Sequence, residues 1–256
     1  MLAARQTLSD RAVWAALGAE LDAWAATGRV ATFWWRDDDA TGPSPALDRL
    51  LALAEGIPLG LAVIPQPADP ALAAHLEGTG VVVLQHGIVH ENRASFGARS
   101  SEFPEGEAVE ARLEALDVSR RRMATLFGDR FVPVLVPPWN RIAPALAARL
   151  GEAGFVGLSA SGMGGATGGF PRIDIRIDPV DWRGSRRFRG VGPVTLDVID
   201  HLRRRRTGLD PDVAIGILTH HRLDDPMTEA FMADFVGLVA HHPAASWCGV
   251  RRMFGL

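Results

Sequence analysis

Two hydrophobic patterns alternate along the chain. Leu8, Val13, Leu17, Leu21 and Trp24 recur every three or four positions, which predicts an amphipathic helix over 8–28 with Ser9 or Asp10 as its N-cap. The same reasoning predicts helices over 45–55, 70–76, 105–127, 144–153, 193–206 and 226–241. Between them lie short apolar runs rich in β-branched and aromatic residues, at 30–35, 58–64, 81–84, 131–136, 155–159, 173–177 and 214–218. These runs show no polar alternation, so they predict strands buried on both faces, in a parallel sheet covered by helices. No repeat or linker interrupts the pattern. Residues 1–256 therefore read as one α/β domain, with 1–28 an N-terminal helix outside the part that carries the polar motifs.

Five strand runs end in polar or aromatic groups: Asp37-Asp38-Asp39, His86 with His90, Pro138-Trp139-Asn140, Asp178 with Asp181, and His220-His221. In an α/β barrel the strand C-termini open on one face, where active sites are assembled. A helical turn after Gln85 would project His86 and His90 from one face, where two imidazoles can grip a divalent metal. Three successive carboxylates repel one another unless a cation neutralises them. An Asp with two His leaves a metal with open positions, as in hydrolytic sites. A second Asp could then take a proton from water, and a His across the site could protonate a leaving amine.

Composition narrows the chemistry. A net charge of -3 points to neither nucleic acid nor an anionic membrane. No run reaches the ~18 apolar residues of a membrane span, and the first thirty residues do not resemble a signal peptide, so a cytoplasmic protein is expected. Every basic residue is Arg and there is no Tyr, which removes Schiff-base chemistry, a P-loop lysine and a phenolic acid. The single thiol, Cys248, reads as a small buried residue. The glycines of 161–169 read as a flexible loop, and Arg203 to Arg206 as a solvated helix end whose cations suit the dipole.

Asp38-Asp39, His86-x3-His90, Pro137-Pro138-Trp139, Asp178-Pro-Val-Asp181-Trp182 and Leu218-Thr-His220 together resemble, in order, the motifs of the polysaccharide deacetylases, carbohydrate esterase family 4. The resemblance implies a distorted (β/α)7 barrel and a divalent metal, Zn above all, with Co, Ni or Mn as alternatives. It implies Asp39, His86 and His90 as metal ligands, Asp38 as general base and His220 as general acid. Pro138, Trp139, Asn140, Asp181 and Trp182 would meet the substrate. Of these, a backbone N–H near Trp139 would hold the oxyanion, Asp181 would orient its neighbours, and Trp182 would line the acyl pocket. The implied reaction is removal of an N-acyl group, N-acetyl first, from an amino sugar or glycan. Hydrolysis of another C–N bond, such as that of a cyclic ureide, and sugar binding without catalysis through Trp35, Trp139 and Trp182 are the alternatives.

Three departures accompany the resemblance. The first motif is Arg-Asp-Asp-Asp-Ala where the family has Thr-Phe-Asp-Asp-Gly, so Asp37 competes with Asp38 and Asp39. Val136 stands where the family places an Arg before Pro-Pro, with Arg36 or Arg141 as replacements. His220 and His221 are adjacent, and only one can face the site.

Overall fold

Every strand pair in the sheet is parallel. The computed structural model describes residues 9–161, 170–209, 213–223 and 225–256. Its strands are β1 (Ala31–Ala40), β2 (Leu59–Val63), β3 (Val82–His86), β4 (Phe131–Val136), β5 (Gly157–Leu158), β6 (Ile175–Ile177), β7 (Ile215–Thr219) and β8 (Ala245–Trp247). They lie in the order β5-β4-β3-β2-β1-β7-β6, with β8 beside β1. Isolated bridges from Leu158 to Arg172 and from Ser161 to Ile175 draw the two edges together. The sheet is thus a curled, distorted barrel of seven parallel strands, as the apolar runs and the motif resemblance imply, with β8 added beside β1.

The helices are α1 (Asp10–Ala26), α2 (Pro45–Leu53), α3 (Ala71–His75), α4 (Val109–Phe127), α5 (Pro144–Ala147), α6 (Val191–Arg206), α7 (Pro226–His241) and α8 (Val250–Met253). Alternate strand residues divide between the barrel interior and the layer under the helices. Trp34, Ala62, Leu84, Val134 and Leu218 fill the barrel interior. Phe33, Trp35, Leu61, Val83 and Ile217 face outward into the helices, packed with Leu17, Leu21, Val198 and Phe235.

Several elements differ from expectation, each for a local reason. The strand from residue 30 does not stop at Trp35 but carries Arg36 to Asp39 within it, because those polar groups find partners inside the fold. The helix expected over 144–153 breaks into α5 and a 3-10 turn, Leu150–Ala153. The run Arg203 to Arg206 is not simply solvated. Arg205 is buried, and Arg203 and Arg206 hold the buried Glu20 of α1 at 3.3 and 2.7 Å, which ties that helix to α6. β8 and α8 were not legible as elements. Cys248 follows β8, where its N–H donates to the Phe33 carbonyl, and its side chain is half-buried rather than buried. The glycines of 162–169 lie outside the described residues. Among the described residues no helix is long and apolar enough to cross a membrane.

Candidate active site

The alternation of β1 sorts its three carboxylates. Arg36 and Asp38 follow Trp34 on the inner face, and Asp37 follows Trp35 on the outer face. Arg36 is fully buried and grips Asp38 with both arms, Nε to Oδ1 at 2.8 Å and Nη2 to Oδ2 at 2.9 Å. Its remaining N–H groups reach the Ser159 carbonyl, the Ser159 hydroxyl and Asn140 Oδ1. A bidentate pair fixes the carboxylate's plane as well as its position. Arg36 therefore occupies the place next to Asp38 for which the Val136 departure left two candidates. Arg141, the other, turns instead to the Ser100 carbonyl.

Asp37 belongs to the opposite face. It accepts from the Thr219 hydroxyl at 2.6 Å, the His221 N–H at 3.0 Å and His221 Nδ1 at 2.5 Å, all buried. Asp39 ought to follow Asp37 outward. Instead its φ of 73° breaks the pleat, at the point where the β1–β2 register shifts. Two consecutive carboxylates, Asp38 and Asp39, thereby line one cleft.

His86 and His90 do not share a helix. His86 is the last residue of β3, and residues 87–90 form an irregular loop. Gly87 starts that loop at φ 61°, where a Cβ would overlap the Glu102 carboxylate and lie 2.6 Å from Pro138 Cγ. The buried Glu102 accepts from the Ile88 and Val89 N–H groups at 3.1 and 2.8 Å and so shapes the loop. Sequence reasoning passed over Glu102, because a lone Glu in a loop carries no visible pattern.

The loop still delivers both imidazoles to Asp39. His86 Nε2 and His90 Nε2 lie 3.0 and 3.3 Å from Asp39 Oδ1, and one donor atom from each residue falls within 4.8 Å of the others. His86 Nδ1 sits 2.9 Å from the Val136 carbonyl and donates to it, which leaves Nε2 as the nitrogen that would face a metal once its own proton is lost. One carboxylate and two imidazoles converging in this way are a donor set suited to a divalent metal with further positions open. The three groups also act on one another. Burial alone would raise the Asp39 carboxyl, but His86, with His220 and His90, outweighs it and holds it well below the usual carboxylate range. Burial would lower His86, yet Asp38 and Asp39 raise it above an ordinary imidazole. His90, facing burial and then His86, is lowered.

Opposite this cluster, the parity of β7 separates the twin histidines. Thr219 and His221 face outward to Asp37, whereas His220 lines the cleft, its ring 4.9 Å from that of Trp182. His220 Nδ1 is buried without a hydrogen-bond partner. Asp178, not Asp181, lines the cleft beside it and accepts from Trp182 Nε1 at 2.6 Å. Burial raises the Asp178 carboxyl. The Asp181 carboxylate is turned instead to the Gly184 and Ser185 N–H groups of its own turn. Pro138 is likewise not at the cleft, being packed behind it near Gly87, while Trp139 and Asn140 do line it. Trp35 faces away, 1% exposed and bonded to Thr219, so it can stack no sugar.

The cleft has a volume of about 1100 Å³. Among the described residues the five non-glycine positions with positive φ are Asp39, His90, Trp139, Asn140 and Arg186, and all five line it. Such backbones cost about 1–3 kcal/mol each and persist where the surroundings over-determine them, most often at functional sites.

No family model and no curated protein matches the chain by sequence. Solved structures do match it in fold. A putative polysaccharide deacetylase from Mycobacterium smegmatis superposes with TM-score 0.67 at 15% identity, over 89% of this chain and 90% of that one. A family 4 acetyl xylan esterase from Clostridium thermocellum, in complex with a cobalt ion, gives 0.54 at 12% identity, over 88% and 90%. A CE4-family pseudoenzyme from Bacillus anthracis gives 0.56 at 10% identity, over 88% and 66%. With its motifs gathered at the strand ends, the chain has the fold of the carbohydrate esterase family 4 polysaccharide deacetylases.

Proposed function

We propose that this chain is a metal-dependent hydrolase that removes an N-acyl group, N-acetyl in the first instance, from an amino sugar or glycan. One observation carries the reading: Asp39, His86 and His90 converge in a cleft that Asp38 and His220 also line. Asp39, His86 and His90 would hold the metal, zinc before cobalt, nickel or manganese. Bound there, it would supply Lewis-acid polarisation of an amide carbonyl and of a water molecule.

The remaining work falls to the chain's own groups. Asp38, oriented by both arms of Arg36, takes a proton from the attacking water. His220, across the cleft, gives a proton to the departing amine. The Trp139 region, held at φ 55°, presents backbone to the oxygen that gains charge as the carbonyl is attacked. Trp182, beside His220, walls the acyl side. The test is acetate release from N-acetyl sugars with added Zn²⁺ or Co²⁺, comparing wild type with Asp38→Asn and His86→Ala. A wild-type protein that binds no metal sinks the reading.

A second reading, sugar binding without turnover, draws on one observation: the proposed acid has no partner on Nδ1 to set its tautomer. It is supported also by the pseudoenzyme that shares the fold. Val136 in place of the family's arginine does not favour it, since Arg36 stands beside Asp38. Saturable glycan binding with no acetate released from the metal-loaded protein would establish it.

A further inference from the structure

The wall of the cleft carries four arginines, Arg141, Arg176, Arg186 and Arg222. Among the described residues none of them pairs with a carboxylate, unlike Arg49, Arg93, Arg149 and Arg189, which pair with Glu229, Glu107, Glu152 and Asp197. The carboxylates inside the cleft are already engaged. Asp38 is held by Arg36, Asp39 by the two histidines, and Asp178 by Trp182 and the Val180 N–H. Four unmatched cations around one opening, on a chain of net charge -3, repel one another and focus a positive potential into the cleft. A neutral glycan has no use for that field. An anion does.

We propose that the substrate bears a phosphate or diphosphate ester, which these arginines hold while the N-acyl group lies at the metal cluster. The proposal rests on the deacylase reading and names its substrate class. Guanidinium groups meet phosphate oxygens with paired N–H donors in a plane, which suits them to this anion better than a point charge would be. Charge matching favours phosphate over carboxylate. A single carboxylate answers one of four cations, and a phosphate ester carries close to two negative charges. The wall is also built to receive a sugar beside that anion. Trp182 is 41% exposed, and the Arg186 guanidinium sits 5.6 Å from its ring, on a backbone of positive φ.

The experiment is equilibrium binding by calorimetry at low ionic strength. The probes are N-acetylglucosamine, its 1-phosphate, its uridine diphosphate conjugate, a short prenyl diphosphate conjugate, and the carboxylate-bearing N-acetylmuramic acid. The phosphorylated probes are expected to bind at least about tenfold more tightly than the neutral sugar, the scale of one charge-assisted contact. The stronger of the nucleotide and prenyl conjugates then identifies the source of the phosphate. The gap should close in Arg176→Gln/Arg222→Gln and persist in His86→Ala, which keeps the arginines. Arg222→Gln alone, at an exposed position, keeps the test if the double variant does not fold. Equal binding of the neutral sugar, equal binding of the carboxylate sugar, or a gap that vanishes in His86→Ala overturns the proposal. Acetate release is followed separately on the metal-loaded protein. Arginine-dependent binding without release removes the deacylase reading and leaves the phosphate grip standing. Release with no preference for phosphate does the reverse.

Discussion

Arg36 and Asp38 are neighbours but one on a single strand, and their side chains form a bidentate ion pair at 2.8 and 2.9 Å inside the barrel. Residues two apart on a strand share a face, so the partner that orients the proposed base comes from the same element as the base. Because Arg36 is fully buried, removing it strands a buried carboxylate. Arg36→Leu is expected to cost about 3–5 kcal/mol of stability, read by urea unfolding, and to abolish acetate release. A variant with wild-type stability and activity would show that Asp38 needs no such partner.

The twin histidines should separate by phenotype. His221→Ala removes the Asp37 partner on the outer face and is expected to destabilise by roughly 2–4 kcal/mol, with the kcat of the surviving folded protein little changed. His220→Ala should lower kcat by about a hundredfold or more while costing only about 1 kcal/mol of stability, since its buried Nδ1 has no hydrogen-bond partner to strand. Paired melts and rate measurements decide it, and equal phenotypes would contradict the parity of β7.

Above about pH 6.5, metal binding and the stability of the metal-free chain should respond to pH in opposite ways. The His86 imidazole is raised, so it stabilises the metal-free fold fully below about 6.5 and loses that contribution as pH climbs through its elevated value. Asp39 is lowered, so its contribution is present above about 3.8 and is lost as pH falls through its depressed value. The cluster's contribution to the metal-free protein is therefore greatest between those two ordinary values. Metal must displace the proton from His86, so affinity should keep rising above pH 6.5. Thermal melts and metal titrations across pH 4–9 check this. A pH-independent affinity would contradict it.

The 87–90 loop should be intolerant of small changes. Gly87→Ala meets the Glu102 carboxylate and Pro138 at a positive φ, and is expected to cost about 1–3 kcal/mol. Glu102→Ala leaves the Ile88 and Val89 N–H groups unmatched and should weaken metal binding by about ten- to a hundredfold, a size typical of groups that hold ligands in place. Competition with a coloured chelator measures it, and unchanged affinity in both variants would mean the loop is held by other contacts.

What the sequence determined by itself is the parallel α/β architecture, because strands buried on both faces must be unbroken apolar runs, and such runs stand out between amphipathic helices. It also determined which strand ends carry polar groups. Even the sorting of Asp37 from Asp38, and of His220 from His221, was latent in strand periodicity, since each pair straddles a pleat. Tertiary structure alone decided what breaks that periodicity. The positive φ of Asp39 turns it back beside Asp38, and the Gly87 turn replaces the expected helix yet still brings His90 to Asp39. It alone brought Glu102 under the loop, and it left Asp181 in its own turn while Asp178 took the cleft. These outcomes depend on contacts between distant segments, which local propensity does not encode. The substitution of Arg36 for an arginine expected a hundred residues later has the same origin: a barrel interior is one shared space, and a guanidinium can enter it from any strand that faces inward.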